Sequence, residues 1–170
     1  MALYWAASAA MPTTAAAATV TPTPLTANTL LQVATPATRT LSVVAFGVEF
    51  ANALTAAATV ELIDTGTVPA TAMNAHVAAG VQPYGADASS GTSDMTLGTG
   101  ATGWWKASQG EGTITSVRTG KQKILPIGAS EYEWEWSLGR EFFVPVSHFL
   151  RVRVTTSVNI GTFAWVLWQE

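Results

Sequence analysis

An all-β sandwich is the fold class that this sequence predicts, and three observations predict it. Polar and aromatic residues alternate through Glu131-Tyr132-Glu133-Trp134-Glu135-Trp136, and apolar and basic residues alternate through Leu150-Arg151-Val152-Arg153-Val154. A period of two belongs to a strand with one buried face, so each run predicts one amphipathic strand. The third segment, Thr162 to Trp168, is apolar on both faces, since Phe163, Trp165 and Leu167 alternate with Ala164, Val166 and Trp168. Such a strand is central in its sheet or is covered by another subunit.

The remaining elements follow in chain order. Residues 1–38 carry no charge and are rich in Ala, Thr and Pro, with Pro12, Pro22, Pro24 and Pro36 forbidding a long helix. This stretch predicts an extended arm, set apart from a sandwich domain at 39–170, of which residues 2–24 are expected to be dispensable for folding and to matter for assembly. Tyr4 and Trp5 are costly to leave in water, so the arm is expected to dock, on its own subunit or a neighbour, with both rings as candidate interface residues. Leu25, Leu30, Leu31 and Val33 could supply a first strand. Leu41 to Phe50 and Thr59 to Asp64 read as strands, Ala51 to Ala58 as a helical turn and Met73 to Val77 as a weak strand. The glycine-rich stretch from Gly80 to Gly112 reads as loop. Thr113 to Thr119 reads as a strand, Gly120-Lys121-Gln122 as a turn and Lys123 to Ile127 as another strand or a loop edge, ahead of the C-terminal strands. Seven or eight short strands at this spacing fit a sandwich, and a jelly roll is preferred because the chain is long for a minimal immunoglobulin-like domain and lacks its cysteine pair.

Composition narrows the function classes. With 170 residues the chain suits one domain, and without cysteine it has no disulfide framework, thiolate zinc site or cysteine nucleophile. Charged residues make up 11% of the chain, so Thr, Ser, Ala and Gly must cover much of its surface, as suits a protein that sits against others in an assembly, an extracellular domain, or a product of an Ala- and Thr-rich genome. A net charge of -3 with 8 scattered Lys and Arg gives no footprint for a phosphate backbone, so nucleic-acid binding is not expected. Glu49, Asn52 and Glu61 interrupt the most apolar stretch, so no membrane span is expected. A secretory signal is not expected either, because no Lys or Arg precedes Arg39.

Motifs that carry chemistry are scarce. Gly98-Thr99-Gly100-Ala101-Thr102-Gly103 has the spacing of a dinucleotide loop, but Trp104-Trp105 follows where a helix should open, so a plain loop is expected. Adjacent Trp104 and Trp105 point oppositely on an extended chain, which makes one ring a candidate for an interface, with a core plug or sugar stacking as the alternatives. His76 and His148 have no local partners that would make a triad, and each reads as a satisfied or surface histidine. Glu131, Glu133 and Glu135 share one strand face at spacings of about 7 Å. They could form an acid pair or a cation site, but pairing with Arg151 and Arg153 across neighbouring strands is favoured. No catalytic residue, metal ligand or cofactor is assigned.

Several segments carry a family resemblance: Thr59-Val60-Glu61-Leu62-Ile63-Asp64-Thr65-Gly66, Gly110-Glu111-Gly112-Thr113-Ile114-Thr115, Ser137-Leu138-Gly139-Arg140-Glu141, Phe149-Leu150-Arg151-Val152-Arg153-Val154, and Ala164-Trp165-Val166-Leu167-Trp168-Gln169-Glu170. Over residues 40–170 the chain resembles capsid decoration, or cement, proteins of tailed bacteriophages infecting actinobacteria. The resemblance implies a non-enzymatic β-sandwich or jelly-roll module made in the host cytoplasm. It would bind the major capsid protein on the outside of the virion and reinforce contacts between capsomers, often as a trimer. A tail or head-fibre domain and a carbohydrate-binding module are the alternative expectations.

Overall fold

Alternating β-branched and aromatic residues build strands, and among the described residues the rest is loop apart from one 3-10 turn at Ala78–Gly80. In the computed structural model, which describes residues 2–9, 19–85, 91–113 and 118–170, the strands are β1 (Leu3–Ala7), β2 (Ala27–Ala34), β3 (Leu41–Phe50), β4 (Ala58–Asp64), β5 (Asn74–Ala75), β6 (Val81–Pro83), β7 (Gly103–Trp104), β8 (Arg118–Leu125), β9 (Glu131–Glu135), β10 (Phe142–Val144), β11 (Phe149–Thr156) and β12 (Thr162–Gln169). Among the described residues there is no α-helix.

The strands form two antiparallel six-stranded sheets packed as a β-sandwich. Sheet A runs β10-β3-β12-β1-β6, with β9 also pairing with β3, and sheet B runs β5-β7-β2-β11-β4-β8. Strand β12 is central, between β1 and β3, which accounts for its two apolar faces. Its Ala164, Val166 and Trp168 point into the core beside Phe46 and Val48 of β3, and all five are fully buried. From sheet B, Leu31 and Val33 of β2, Val60 and Leu62 of β4, and Leu150, Val152 and Val154 of β11 close the core. Strand β11 is likewise central, between β2 and β4.

Several expectations change on contact with this architecture. The described parts of 1–38 contribute a strand to each sheet of the sandwich. Strand β1 fills a lane of sheet A between β12 and β6, and β2 fills a lane of sheet B between β11 and β7. Backbone bonds from Ser8 to Ala164 and between Val20 and Thr162 continue the attachment to β12 on either side of residues 10–18, which lie outside the described residues. Burial of Tyr4 and Leu30 drives this docking on the chain's own core.

Residues 51–57 form bends and not a helical turn. Leu54 is buried, and its backbone bonds to Ala129 and Gly128 pin that loop to the turn before β9. The expected turn at Gly120-Lys121-Gln122 is interior to β8. Gly120 is there because the Phe142 ring occupies the place of a side chain, with a Cβ falling 2.9 Å from it. Of the strand expected at 113–119, residues 114–117 lie outside the described residues.

Candidate functional site

Two outer faces remain once the core is filled, and the chain treats them differently. Over sheet B, the segments 65–76 and 99–113 lie across β2, β11 and β4. They satisfy Gln32, whose amide accepts from the Ala70 backbone N–H at 2.7 Å and donates to the Ala101 carbonyl at 2.6 Å. They also bury Arg151 completely. Its guanidinium donates to the Glu111 carbonyl at 2.8 Å, to the Glu111 carboxylate at 3.2 Å and to the Val68 carbonyl. Burial lowers the Arg151 pKa to about 10, with the Glu111 charge opposing the shift. Arg153 meets Glu61 at 2.9 Å on the neighbouring strand β4.

On the outer face of sheet A, Trp5, Phe163, Trp165 and Leu167 stay partly exposed while Ala7 at one end is buried, and the strand register shows how these positions line up. One row across the sheet reads Glu131, Glu49, Phe163. The next reads Glu133, Gly47, Trp165, Ala7, and the third reads Glu135, Ala45, Leu167, Trp5, Gln82. Large apolar side chains therefore stand on β12 and β1, a carboxylate rail stands on β9, and the lane between them on β3 carries Ala45 and Gly47, with Glu49 joining the carboxylates at one end.

Gly47 is required by this arrangement. A Cβ at that position would lie 2.5 Å from the Trp165 indole, so the ring rests directly on the β3 backbone. Trp5 packs obliquely on Phe163 with ring centroids 6.4 Å apart. Trp5, Tyr84, Glu133, Trp165 and Leu167 line a cleft of about 230 Å³ on this face. Beside it, a second hollow is bounded by Leu3, Val44, Glu135, Trp136, Leu138 and Gln169, with Leu138 96% exposed at a turn tip.

The favoured pairing of Glu131, Glu133 and Glu135 with Arg151 and Arg153 is corrected by this register. The glutamates lie on the outer face of sheet A, whereas the arginines lie on the outer face of sheet B. Alternation located both charged faces, but the sheet to which each strand belongs is set by long-range pairing. Among the described residues, Glu49, Glu131, Glu133 and Glu135 make no ion pair.

Of the four aromatic residues expected at an interface, Trp5 is partly exposed and lines the cleft. Tyr4 is instead a core residue, 4% exposed and stacked on Trp168 at 6.3 Å, because neighbours on a strand face opposite ways. Trp104 and Trp105 are both partly buried away from that cleft. Trp104 packs on the His76 ring at 4.7 Å, and Trp105 packs against the core. Trp165 and Tyr84 also line the cleft, and no local sequence pattern marks either of them. Pairing of β12 with a glycine on β3 marks Trp165 only once that register is known.

The histidines belong to structural contacts. His76 is 3% exposed, with Nε2 2.8 Å from the Ala7 carbonyl, and desolvation lowers its pKa to about 4 against the opposing effect of that bond. His148 Nδ1 lies 2.9 Å from Asp64 Oδ1, and Asp64 also receives Arg118 at 3.2 Å. No hydrogen bond joins a Ser or Thr hydroxyl to either imidazole among the described residues. Among the same residues, no group of three or more His, Asp or Glu is placed to hold a metal, and no helix is long and apolar enough to cross a membrane. The Gly98 to Gly103 stretch is a loop running into β7, and Gly103 is held against the Asn74 carbonyl, where a Cβ would lie 2.4 Å away. The chain matches no protein-family model, no curated protein and no solved structure.

Proposed function

We propose that this chain is a non-catalytic decoration protein of a tailed-bacteriophage capsid. In this reading it docks on the outside of the shell against the major capsid protein and acts as a homo-oligomer, with a trimer preferred. The observation that carries the reading is the asymmetry of the sandwich. The chain's own loops bury one outer face down to an arginine, while the other presents Phe163, Trp165, Leu167 and Trp5 partly exposed. A contiguous apolar face in a chain with 11% charged residues suits permanent attachment to a neighbour.

A finer description of the fold, the jelly roll, belongs to the same reading. The orders β1-β12-β3-β9 and β2-β11-β4-β8 set strands from opposite ends of the chain side by side, as two Greek keys do. Each copy would contribute a modest interface, and many copies on one lattice would add through multivalency. Co-sedimentation with capsids lacking the protein tests this. Saturable binding at a lattice stoichiometry, with a shell that survives longer heating, is the expected result; a folded protein that stays in the supernatant overturns the proposal.

A further inference from the structure

The cleft on the outer face of sheet A combines two kinds of wall. Trp165 lies flat on the β3 backbone above Gly47, Trp5 and Tyr84 supply two more rings, and Glu133 closes the side toward β9. Aromatic faces carry negative potential and attract cations within about 6 Å of the ring centroid. A carboxylate beside them adds charge of the same preference. Tyr84 is 52% exposed, so the cleft is open to solvent.

No Lys or Arg lines the cleft. All 8 of its Lys and Arg are among the described residues. Arg39, Arg118, Arg151 and Arg153 are committed to Asp94, Asp64, Glu111 and Glu61. Lys121 lies over Trp134, 3.3 Å from its ring centroid, on the opposite face of β9 from the glutamates. Along the outer-face positions of β1, β3, β9 and β12 there are four glutamates and no Lys or Arg. A neutral guest such as a sugar would use the rings but leave this uncompensated field unexplained. A cation uses both.

We infer that the cleft between Trp5, Tyr84, Trp165 and Glu133 is a cation-recognition site that takes a lysine or arginine side chain presented by a partner protein. The alkyl stem lies against Leu167 and the indoles, and the head group sits between the Trp165 ring and the Glu133 carboxylate. The Lys121 and Trp134 contact shows the same chemistry within one chain. This inference rests on the cleft and not on the capsid reading, so either can fail alone.

The test uses the full chain, observing the indole N–H resonances of Trp5 and Trp165 by NMR. It is titrated with a glycine-flanked tetralysine peptide and with the same peptide acetylated at every lysine. The expected result is a saturable shift with the first peptide and at least fivefold weaker binding of the second, at matched ionic strength. Glu133→Gln and Tyr84→Ala should each weaken the lysine peptide at least threefold, whereas Glu131→Gln, on the Phe163 row, should change it less than twofold. Equal binding of the acetylated peptide, no shift with either peptide, or indifference to Glu133→Gln in a protein with an unchanged melt overturns the inference. A shift produced instead by a neutral oligosaccharide such as cellohexaose, with none from lysine, also overturns it and makes the cleft a glycan site.

Discussion

At the residue scale, two side chains make the local physics measurable. His76 is buried neutral, with a pKa of about 4 against an ordinary value of 6.5. The unfolded chain therefore binds a proton between those values while the folded chain does not. Stability is undiminished by His76 above pH 6.5 and falls as pH drops from 6.5 through 4. The full loss is about 3 kcal/mol. Urea melts at pH 7 and pH 4 should show this slope in the native protein and lose it in His76→Gln; identical slopes would exclude His76 as its source. Gly47 is the second case. Gly47→Val must push the Trp165 indole off the sheet, since a Cβ lies 2.5 Å from it. A cost of about 1–3 kcal/mol is expected, together with a red-shifted tryptophan emission as the ring enters water.

At the scale of elements, β11 and β9 explain why charge alternation located faces without identifying partners. Arg151 is held by Glu111 in the loop that covers sheet B, and Glu111 also accepts from the Thr29 backbone N–H and hydroxyl, both at 2.6 Å. Removing the carboxylate strands several donors, whereas removing the arginine leaves the carboxylate with other partners. Glu111→Ala should therefore destabilise by about 2–4 kcal/mol and by more than Arg151→Met does, as read from denaturant midpoints. Glu133 belongs to the other sheet, so the pair Glu133→Arg and Arg151→Glu should show additive changes in stability, within about 0.5 kcal/mol. A double variant that recovered stability would mean that β9 and β11 are neighbours after all.

At the scale of the molecule, the N-terminal stretch decides whether the sandwich closes. Strand β1 pairs on both edges, with β12 and β6, and delivers Tyr4 and Ala6 to the core. Without it Trp168 loses its stacking partner and β12 becomes a bare edge. Deleting residues 2–24 should abolish the cooperative thermal transition followed by circular dichroism. A sharp melt in the truncated chain would return those residues to the status of a dispensable arm. The same closure leaves Trp5, Phe163, Trp165 and Leu167 partly exposed on the outer face of sheet A, which is why both functional proposals converge there.

Local patterning was enough to read the class of fold and the position of its clearest strands. Periodicity is a local property: the alternation in 131–136 and 150–154 and the apolar run to Trp168 each fix which side chains share a face. It could also place β12 in a sheet centre or beneath a neighbour, since no edge strand would carry six apolar residues in a row at 163–168. Which sheet each strand joins depends on long-range pairing, because it brings together residues far apart in the chain. Tyr4 and Trp168 meet across nearly its whole length. That choice sent Arg151 and Glu133 to opposite sides, carried Tyr4 inward and Trp5 outward, and set Trp165 on Gly47. The cleft therefore has no signature in any one segment: its walls come from β1, β9, β12 and the residue after β6, and a contiguous motif cannot encode a contact that long-range register creates.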